Sequence, residues 1–235
     1  MTNATDIKRE LIEASDPAIA EHSQRFFKTG PGEYGDGDRF RGIRVPVLRK
    51  VARKHAGVPL RSALALLRSG YHEDRLTALL VLVLKYERGD EATRESVYNA
   101  YLAHTRHINN WDLVDSSAHQ IVGGHLVSRP REPLYELAHS DSLWERRIAI
   151  IATLHFIKQE DYNETFALAD ILLSDTEDLI HKAVGWMLRE AGNRDRDAEE
   201  RFLRSRYRRM PRTMLRYAIE KFPEPRRKAY LLGEA

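Results

Sequence analysis

The chain has 235 residues, of which 42% are hydrophobic and 31% charged, and this composition excludes a disordered tail and favours one folded domain. It contains no cysteine, which excludes disulfide frameworks and thiolate chemistry and fits a cytoplasmic location. The first residues lack the pattern of a signal peptide, and the longest strongly apolar run, 76–84, is too short to cross a bilayer, so we expect no membrane association.

Apolar residues recur at spacings of three and four along most of the chain, which is the pattern of amphipathic helices. In chain order, the predicted helices are 47–54, 60–67, 76–86, 92–102, 114–126, 143–157, 166–173, 180–188, 198–207 and 214–222. Short breaks rich in glycine, proline and asparagine separate them, so neighbouring helices are predicted to be antiparallel. No segment has the alternation typical of a strand.

The segment 29–40, TGPGEYGDGDRF, is too rich in glycine to form an ordinary helix. It lacks the Gly-Lys-Ser/Thr sequence of a phosphate-binding loop and the ligand pattern of a calcium loop. We predict a non-helical insertion near 29–45. We interpret it mainly as a connector; the alternative is a loop that contacts substrate, and Arg39, Arg41 and Arg44 favour that alternative.

Two helical segments resemble each other, because Asp74–Leu80 has the same pattern as Glu145–Ile151. Arg75 and Arg147 are 72 residues apart, which is two periods of 36. A period of this length with two helices per unit is typical of an α-solenoid. We therefore predict an all-α superhelix of HEAT-like repeats that forms one domain over residues 1–235.

The same period relates Trp111, Asp115, Arg147 and Trp186. Trp111 and Arg147 are 36 residues apart, and Asp115 and Trp186 are 71 apart. Equivalent positions of stacked repeats point the same way, so an aromatic ring, a carboxylate, a guanidinium and a second aromatic ring are predicted to meet on one surface. Arg146 and Arg147 face about 100° apart on a helix, so only one of them should reach this surface, and we assign Arg147 to it.

The C-terminal part of the chain is strongly basic. Between Arg201 and Lys228, nine arginines and two lysines stand against two glutamates, which gives +9 in a chain whose net charge is +3. Arginines at 204, 208, 212 and 216 predict one basic helical face, with tyrosines interleaved. Nucleic-acid binding is favoured over a merely solvated surface, and Arg212 is a predicted DNA contact.

Other sites are not indicated. The chain has no nucleophile elbow and no His-Glu-x-x-His motif. His104, His107, His119 and His125 are interpreted as polar surface or core residues, so no metal is predicted. Asp112 is interpreted as a surface carboxylate or a helix N-cap.

Three segments resemble the AlkD family of bacterial alkylpurine DNA glycosylases, namely NWDLVD at 110–115, LWERR at 143–147 and KAVGWMLRE at 182–190. The resemblance extends over about 7–222. It implies a superhelix of HEAT-like repeats that binds duplex DNA containing N3- or N7-alkylated purines. It also implies that Trp111, Asp115 and Trp186 form the catalytic cleft and that Arg147 supports it at the DNA backbone.

Further backbone contacts are predicted where a phosphate track would pass, at Arg49, Lys85, Lys182 and Arg189. The sequence departs from the family at His155, where lysine is usual, and at Phe26, where an aromatic hydroxyl is common. The glycine-rich segment resembles a branch of the family in which excision is weak and branched DNA is a suspected ligand.

We expect a monofunctional DNA glycosylase that acts as a monomer, without cofactor and without a lyase step. Two alternatives stay open. One is a non-catalytic or weakly active paralog that binds branched or damaged DNA, and the other is a helical-repeat scaffold that binds protein.

Overall fold

In a computed structural model, which describes residues 3–235, every regular element of the described chain is a helix. Only an isolated bridge between Arg39 and Tyr71 has β-type pairing. The predicted all-α class is confirmed. The chain forms two compact units, one ending at Ile121 and the other extending from Val122 to Ala235. The single domain inferred from the sequence stays a prediction.

The first unit contains α1 (Ala4–Glu13), α2 (Pro17–Phe26), α3 (Val45–Lys54), α4 (Leu60–Leu67), α5 (His72–Arg88), α6 (Glu91–Leu102) and α7 (Trp111–Asp115). The long helix α5 is central, since it packs against α3, α4, α6 and α7. Its buried leucines include Leu76, Leu79 and Leu82. Full burial of each contributes about 1.5–3 kcal/mol, so α5 is the main support of this unit.

Side-chain caps fix the starts of several of these helices. Asn3 and Asp6 form a reciprocal capping box at α1, and Asp16 caps α2, whose first residue is proline. Asp90 caps α6, and Asn110 accepts the backbone N–H of Trp111 at the start of α7. Such caps satisfy N–H groups that have no partner inside the helix.

The second unit contains α8 (Gly124–Leu126), α9 (Glu132–Ala138), α10 (Leu143–Ala152), α11 (Leu154–Ile157), α12 (Asn163–Ile171), α13 (Asp178–Gly192), α14 (Arg196–Arg204), α15 (Arg212–Ala218) and α16 (Glu224–Leu232). Here α13 packs against α10, α12, α14 and α15. A Cβ at Gly185 would lie 2.5 Å from the carbonyl oxygen of Met214, so glycine permits the close approach of α13 and α15.

Two predicted helices are broken in the structure. The segment predicted as 114–126 is divided into α7, a turn, a π-type segment His119–Gly123 and α8. The segment predicted as 143–157 breaks at Thr153, whose hydroxyl donates to the carbonyl of Ile150 at 2.7 Å and competes with helical hydrogen bonding. The predicted ranges also do not include α1, α2, α9 or α16, and the last three of these have proline near their first residue.

No helix forms between Phe26 and Val45, and side chains of α5 hold part of this segment. The carboxylate of Glu73 accepts the backbone N–H groups of Arg41, Gly42 and Ile43 at 2.8, 2.7 and 3.2 Å. The guanidinium of Arg41 pairs with the buried carboxylate of Asp74 at 2.6 Å. Arg41 is therefore a structural residue.

Within residues 3–235, each helix is either too short or too polar to span a lipid bilayer.

Candidate functional site

The first unit contains a cleft of about 390 Å³. Helix α3 contributes Arg49, Ala52 and Arg53, and α5 contributes Leu80, Val83, Leu84 and Glu87. The remaining lining comes from α7, the turn after it and the π-type segment, namely Trp111, Asp112, Asp115, Ser116, His119 and Gln120. Its walls thus combine an indole, carboxylates and guanidinium groups above an aliphatic floor.

Helix α7 presents Trp111 and Asp115 to the cleft together. They are four residues apart, which is about one helical turn, and both are half-buried. The end of α7 is fixed from behind, because the hydroxyl of Ser117 donates to the carbonyl of Leu113 at 2.6 Å and lies 3.0 Å from the hydroxyl of Tyr101. Burial and the nearby charge of Asp115 both raise the pKa of Tyr101. The Tyr101 hydroxyl is therefore a neutral support for this helix.

An aromatic wall fixes the indole of Trp111. Phe27 stacks on it with ring centroids 5.3 Å apart and an interplanar angle of 20°. Phe26 contacts it edge-on at 6.1 Å and keeps 58% of its surface exposed. Stacking of this kind adds about 0.5–1.5 kcal/mol to the burial of the rings. Trp111 is consequently held in one orientation, with Phe26 at the solvent edge.

Behind this wall, His72 joins two carboxylates from distant parts of the sequence. Its Nδ1 lies 2.9 Å from Asp38 in the glycine-rich segment, and its Nε2 lies 2.8 Å from Asp112 on α7. Burial opposes protonation, but Asp112 and Asp38 outweigh it and raise the pKa of His72 to about 9. His72 is therefore an imidazolium ion at neutral pH, and it ties the glycine-rich segment to the start of α7.

Asp38 is also paired with Arg75 at 2.8 Å. Burial acts to raise the pKa of Asp38, but the hydrogen bond from His72 and the charge of Arg75 outweigh it, so the pKa is lowered. The expectation that Asp112 lies on the surface or caps α7 is wrong, because its carboxylate is committed to His72 and Asn110 is the cap. Its Oδ1 is buried and has no hydrogen-bond partner among the described residues.

The predicted cationic residues of the first unit differ in exposure. Arg49 is exposed on α3 and lines the cleft beside Arg53, which is also exposed. Lys85 on α5 is half-buried, and burial lowers the pKa of its ammonium group. Arg49 and Arg53 are thus the groups of this unit that are best placed to meet an anionic ligand at the cleft.

In the second unit, helix α13 carries three of the predicted residues on one face. Lys182 pairs with Asp178 at 2.7 Å, and Arg189 pairs with Glu220. Trp186 is half-buried, and its indole N–H donates to Glu190 at 3.2 Å.

Arg147 lies deeper than its helical phase indicates. Only 5% of its surface is exposed, and its Nη1 donates to the carbonyl oxygen of Leu179 at 2.5 Å. The neighbouring Arg146 pairs with Asp175 at 2.7 Å. Both arginines of this motif therefore make hydrogen bonds within the second unit.

The basic segment 201–228 does not form one helical face, which corrects the expectation from its spacing. Arg204 ends α14, Arg208 lies in the turn that follows, and Arg212 begins α15. The turn includes Met210 before Pro211, and the residue before a proline disfavours helical backbone. Many cationic side chains of this segment form ion pairs with carboxylates. Glu200 pairs with Arg204 and Arg226, Asp170 with Arg206, Glu220 with Lys221, and Glu224 with Arg227 and Lys228.

Two residues of this segment have specific structural partners. Tyr207, expected among the exposed aromatics, is 5% exposed, and its hydroxyl lies 3.0 Å from the carbonyl oxygens of Gly233 and Ala235. Arg212 is exposed, but its Nη1 donates to the carbonyl of Leu231 at 2.7 Å. The segment therefore has fewer cationic groups available to bind an external anion than its net charge indicates.

The sequence reasoning missed His72, Asp38 and Phe27. They stand far from Trp111 along the chain and belong to no periodic pattern. The one available signal was an acidic residue, Asp38, in a segment otherwise suited to flexible turns. Among residues 3–235, no group of three histidine, aspartate or glutamate side chains is arranged to hold a metal ion.

Comparisons with known proteins identify the family of the chain. Residues 7–222 match the family described as DNA alkylation repair enzyme. Among solved structures, a predicted DNA alkylation repair enzyme from Enterococcus faecalis aligns with a TM-score of 0.68 at 16% identity, covering 89% of this chain and 97% of that one. No curated protein matches the chain. The likeness to the solved structure concerns the fold, whereas the family match covers nearly the whole sequence, and the chain therefore belongs to the DNA alkylation repair enzyme family.

Proposed function

We propose that the protein is a monofunctional DNA glycosylase that hydrolyses the N-glycosidic bond of cationic N3- or N7-alkylated purines in duplex DNA. Membership of a DNA alkylation repair family supports a role in DNA repair. The observation that carries the finer proposal is the presence of Trp111 and Asp115 on one cleft of the first unit, opposite Arg49 and Arg53.

The substrate itself explains why a carboxylate and an indole suffice. A purine alkylated at N3 or N7 already carries a positive charge. When its bond to C1′ of deoxyribose breaks, the bonding electrons move to the purine, which leaves as a neutral base and needs no proton from an acid. The positive charge then develops on the sugar, so catalysis requires stabilisation of an oxocarbenium-like transition state.

In this proposal, Asp115 supplies the negative charge. Its carboxylate faces the developing cation and orients the water whose oxygen attacks C1′, and the proton released by that water passes to the carboxylate or to solvent. A single group aimed at transition-state charge typically contributes about 10²–10³-fold in rate. Asp115 is the cleft carboxylate assigned to this role because Asp112 is bound to His72.

The indole of Trp111 contributes by cation–π attraction, which is about 0.5–2 kcal/mol depending on desolvation. Its stacking on Phe27 fixes the ring before substrate binds, so the attraction does not require reorganisation. We propose Trp186 on α13 as the second indole that contributes in this way. Arg49, Lys85, Arg147, Lys182, Arg189 and Arg212 are retained as proposed DNA contacts.

The residues proposed as DNA contacts differ from one another in exposure and in ion pairing. Arg49 is exposed and lines the cleft, whereas Arg147 is buried and Lys182 and Arg189 are paired with carboxylates. Arg49 is therefore expected to contribute most to phosphate binding. We further propose that the protein acts as a cytoplasmic monomer without cofactor.

The test is release of methylated purines from N-methylated duplex DNA by the purified protein. Asp115→Asn preserves the size of the side chain but removes its charge, and it is expected to slow release by about 10²-fold or more while leaving DNA affinity nearly unchanged. Asp141→Asn is the control, because Asp141 is exposed before α10 and is expected to have no effect.

The proposal fails if the wild-type protein releases no base from several methylated duplexes that it binds. Binding without release would instead support a non-catalytic paralog. The absence of both binding and release would favour a scaffold that recognises protein.

A further inference from the structure

A second cavity of the first unit, of about 280 Å³, is separate from the cleft of Trp111. It is enclosed by the glycine-rich segment, the end of α4, and the turn that precedes α7. Its charged lining comprises Asp36, Asp38, Arg68, Arg75 and Arg106, and His107 lies beside them.

Two arginines at this cavity have no carboxylate partner among the described residues. The Nη2 of Arg68 lies 2.8 Å from Nε2 of His104, and the Nε of Arg106 donates to Nε2 of His107 at 3.1 Å. Both arginines are exposed. The guanidinium groups of Arg68 and Arg106 each have five N–H donors, and the contacts with histidine leave several of these donors for an external anion.

The histidines act as neutral acceptors. The Nδ1 of His104 lies 2.8 Å from the carbonyl oxygen of Ala100, so Nδ1 carries the proton and Nε2 accepts from Arg68. Burial lowers the pKa of His107, and positive charge around it lowers it further. Two uncharged rings thus orient two guanidinium groups without cancelling their charge.

Of the two carboxylates of the cavity, only Asp38 is paired with cationic groups of the part of the chain that the structure describes. Asp38 is held by His72 and by Arg75, and Asp36 accepts the backbone N–H of Gly32 at 2.9 Å. Arg75 is 5% exposed, and its Nε has no hydrogen-bond partner among residues 3–235. A buried donor without an acceptor costs about 1–3 kcal/mol. The cavity therefore carries a net positive charge, from three arginines against two aspartates, and one of these arginines, Arg75, also has a buried donor without an acceptor in the described chain.

We propose that this cavity binds one phosphate group of the DNA backbone, through the guanidinium groups of Arg68 and Arg106. Planar guanidinium groups match phosphate oxygens in geometry and charge, and a volume of about 280 Å³ accepts one phosphate with its water. The site gives the first unit a DNA anchor beyond the cleft. The inference rests on the proposed binding of duplex DNA, but it is independent of base excision.

The test measures affinity for an unmodified duplex by fluorescence anisotropy as a function of salt. Neutralising one phosphate contact lowers the slope of log affinity against log salt by about 0.9. The double variant Arg68→Gln/Arg106→Gln is expected to show this decrease. The wild-type affinity should consequently fall about threefold more than that of the variant between 50 and 200 mM salt.

Two controls separate this effect from a general loss of charge. Arg61→Gln removes an exposed arginine of α4 and should leave the slope unchanged when it is introduced alone. Arg68→Lys/Arg106→Lys retains both charges and should restore most of the slope. A double Gln variant with a wild-type slope, or an Arg61 variant with an equal decrease, would overturn the proposal.

An NMR titration gives a second readout that does not depend on activity. A bound phosphate favours the protonated imidazole, so the pKa of His107 should rise when duplex DNA binds. The charged and titratable groups around His107 are Asp36, Asp38, Arg68, Arg75, His104 and Arg106. An unchanged pKa in the complex would contradict the proposal. A rise with inorganic phosphate but not with duplex would also overturn it, because the site would then take free phosphate.

Discussion

Replacement of His72 by glutamine tests the buried network that joins the glycine-rich segment to α7. His72 is 2% exposed and lies between Asp38 and Asp112 at 2.9 and 2.8 Å. A rise of its pKa from 6.5 to about 9 corresponds to about 3 kcal/mol of folding free energy, since each pKa unit is about 1.4 kcal/mol.

The sign of the pH dependence follows from the direction of this rise. The folded protein binds the proton more tightly than the unfolded chain, so the contribution is fully present below pH 6.5. It is lost as the pH increases through about 9. His72→Gln has no such proton, so its free energy of unfolding should lie furthest below that of the wild type at pH 6, and the difference should narrow toward pH 10.

The assay is urea unfolding followed by tryptophan fluorescence between pH 6 and 10. The difference between wild type and variant cancels the titration of groups that do not contact His72, because those groups are common to both proteins. His22→Gln is the matched control, since His22 is exposed on α2, and it should show a small difference at every pH. A wild-type-minus-His72→Gln difference that does not vary with pH would refute the assignment of a buried imidazolium.

Two further predictions concern other parts of the chain. Burial raises the pKa of Glu199 to about 8, so the wild-type protein loses stability as the pH rises from 4.5 through 8. Glu199→Gln should therefore raise the free energy of unfolding by roughly 3 to 5 kcal/mol at pH 9 and by little at pH 5. A gain in stability that is independent of pH would show that the buried charge is not its origin. Gly42 has φ +79° and a Cβ there would lie 2.0 Å from the carbonyl of Asp16. Gly37 has φ +77°, but a Cβ there would meet open space, so Gly37→Ala should cost only about 1–2 kcal/mol. Gly42→Ala should lower the melting temperature much more, because its Cβ would also clash. Equal effects of the two substitutions would show that the close contact does not matter.

The helical fold was accessible from the sequence because burial of one helix face imposes a period of three and four residues, and the order of apolar residues along the chain reveals that period. The leucines of α5 and the apolar positions of α13 follow that period. The same logic places Trp111 and Asp115 on one side of α7, since a spacing of four returns to the same face. In the structure both residues line one cleft.

Helical phase gives the direction of a side chain but not the depth at which it lies. Arg147 illustrates this, since the packing of α10 buries it against Leu179. The basic segment illustrates a related limit, because the spacing of its arginines has meaning only if one helix continues through them, and the turn before Pro211 interrupts it. Both errors arise from tertiary packing and local backbone chemistry, which periodicity does not contain.

The network of Asp38, His72 and Asp112 could not be predicted, because its members are 34 and 40 residues apart and lie on a loop and two helices. No spacing rule relates them. Only the fold brings the three charges together, and burial then makes their mutual pairing obligatory.

The central claim is that the cleft accelerates departure of a base that is already cationic by stabilising charge on the sugar. The most direct measurement is the single-turnover rate of base release at saturating protein, for duplexes that contain either N7-methylguanine or the neutral base hypoxanthine. We predict release of N7-methylguanine alone, with Asp115→Asn slowing it by about 10²-fold or more at unchanged DNA affinity. Comparable release of hypoxanthine, or an Asp115→Asn rate equal to that of the wild type, would contradict this mechanism.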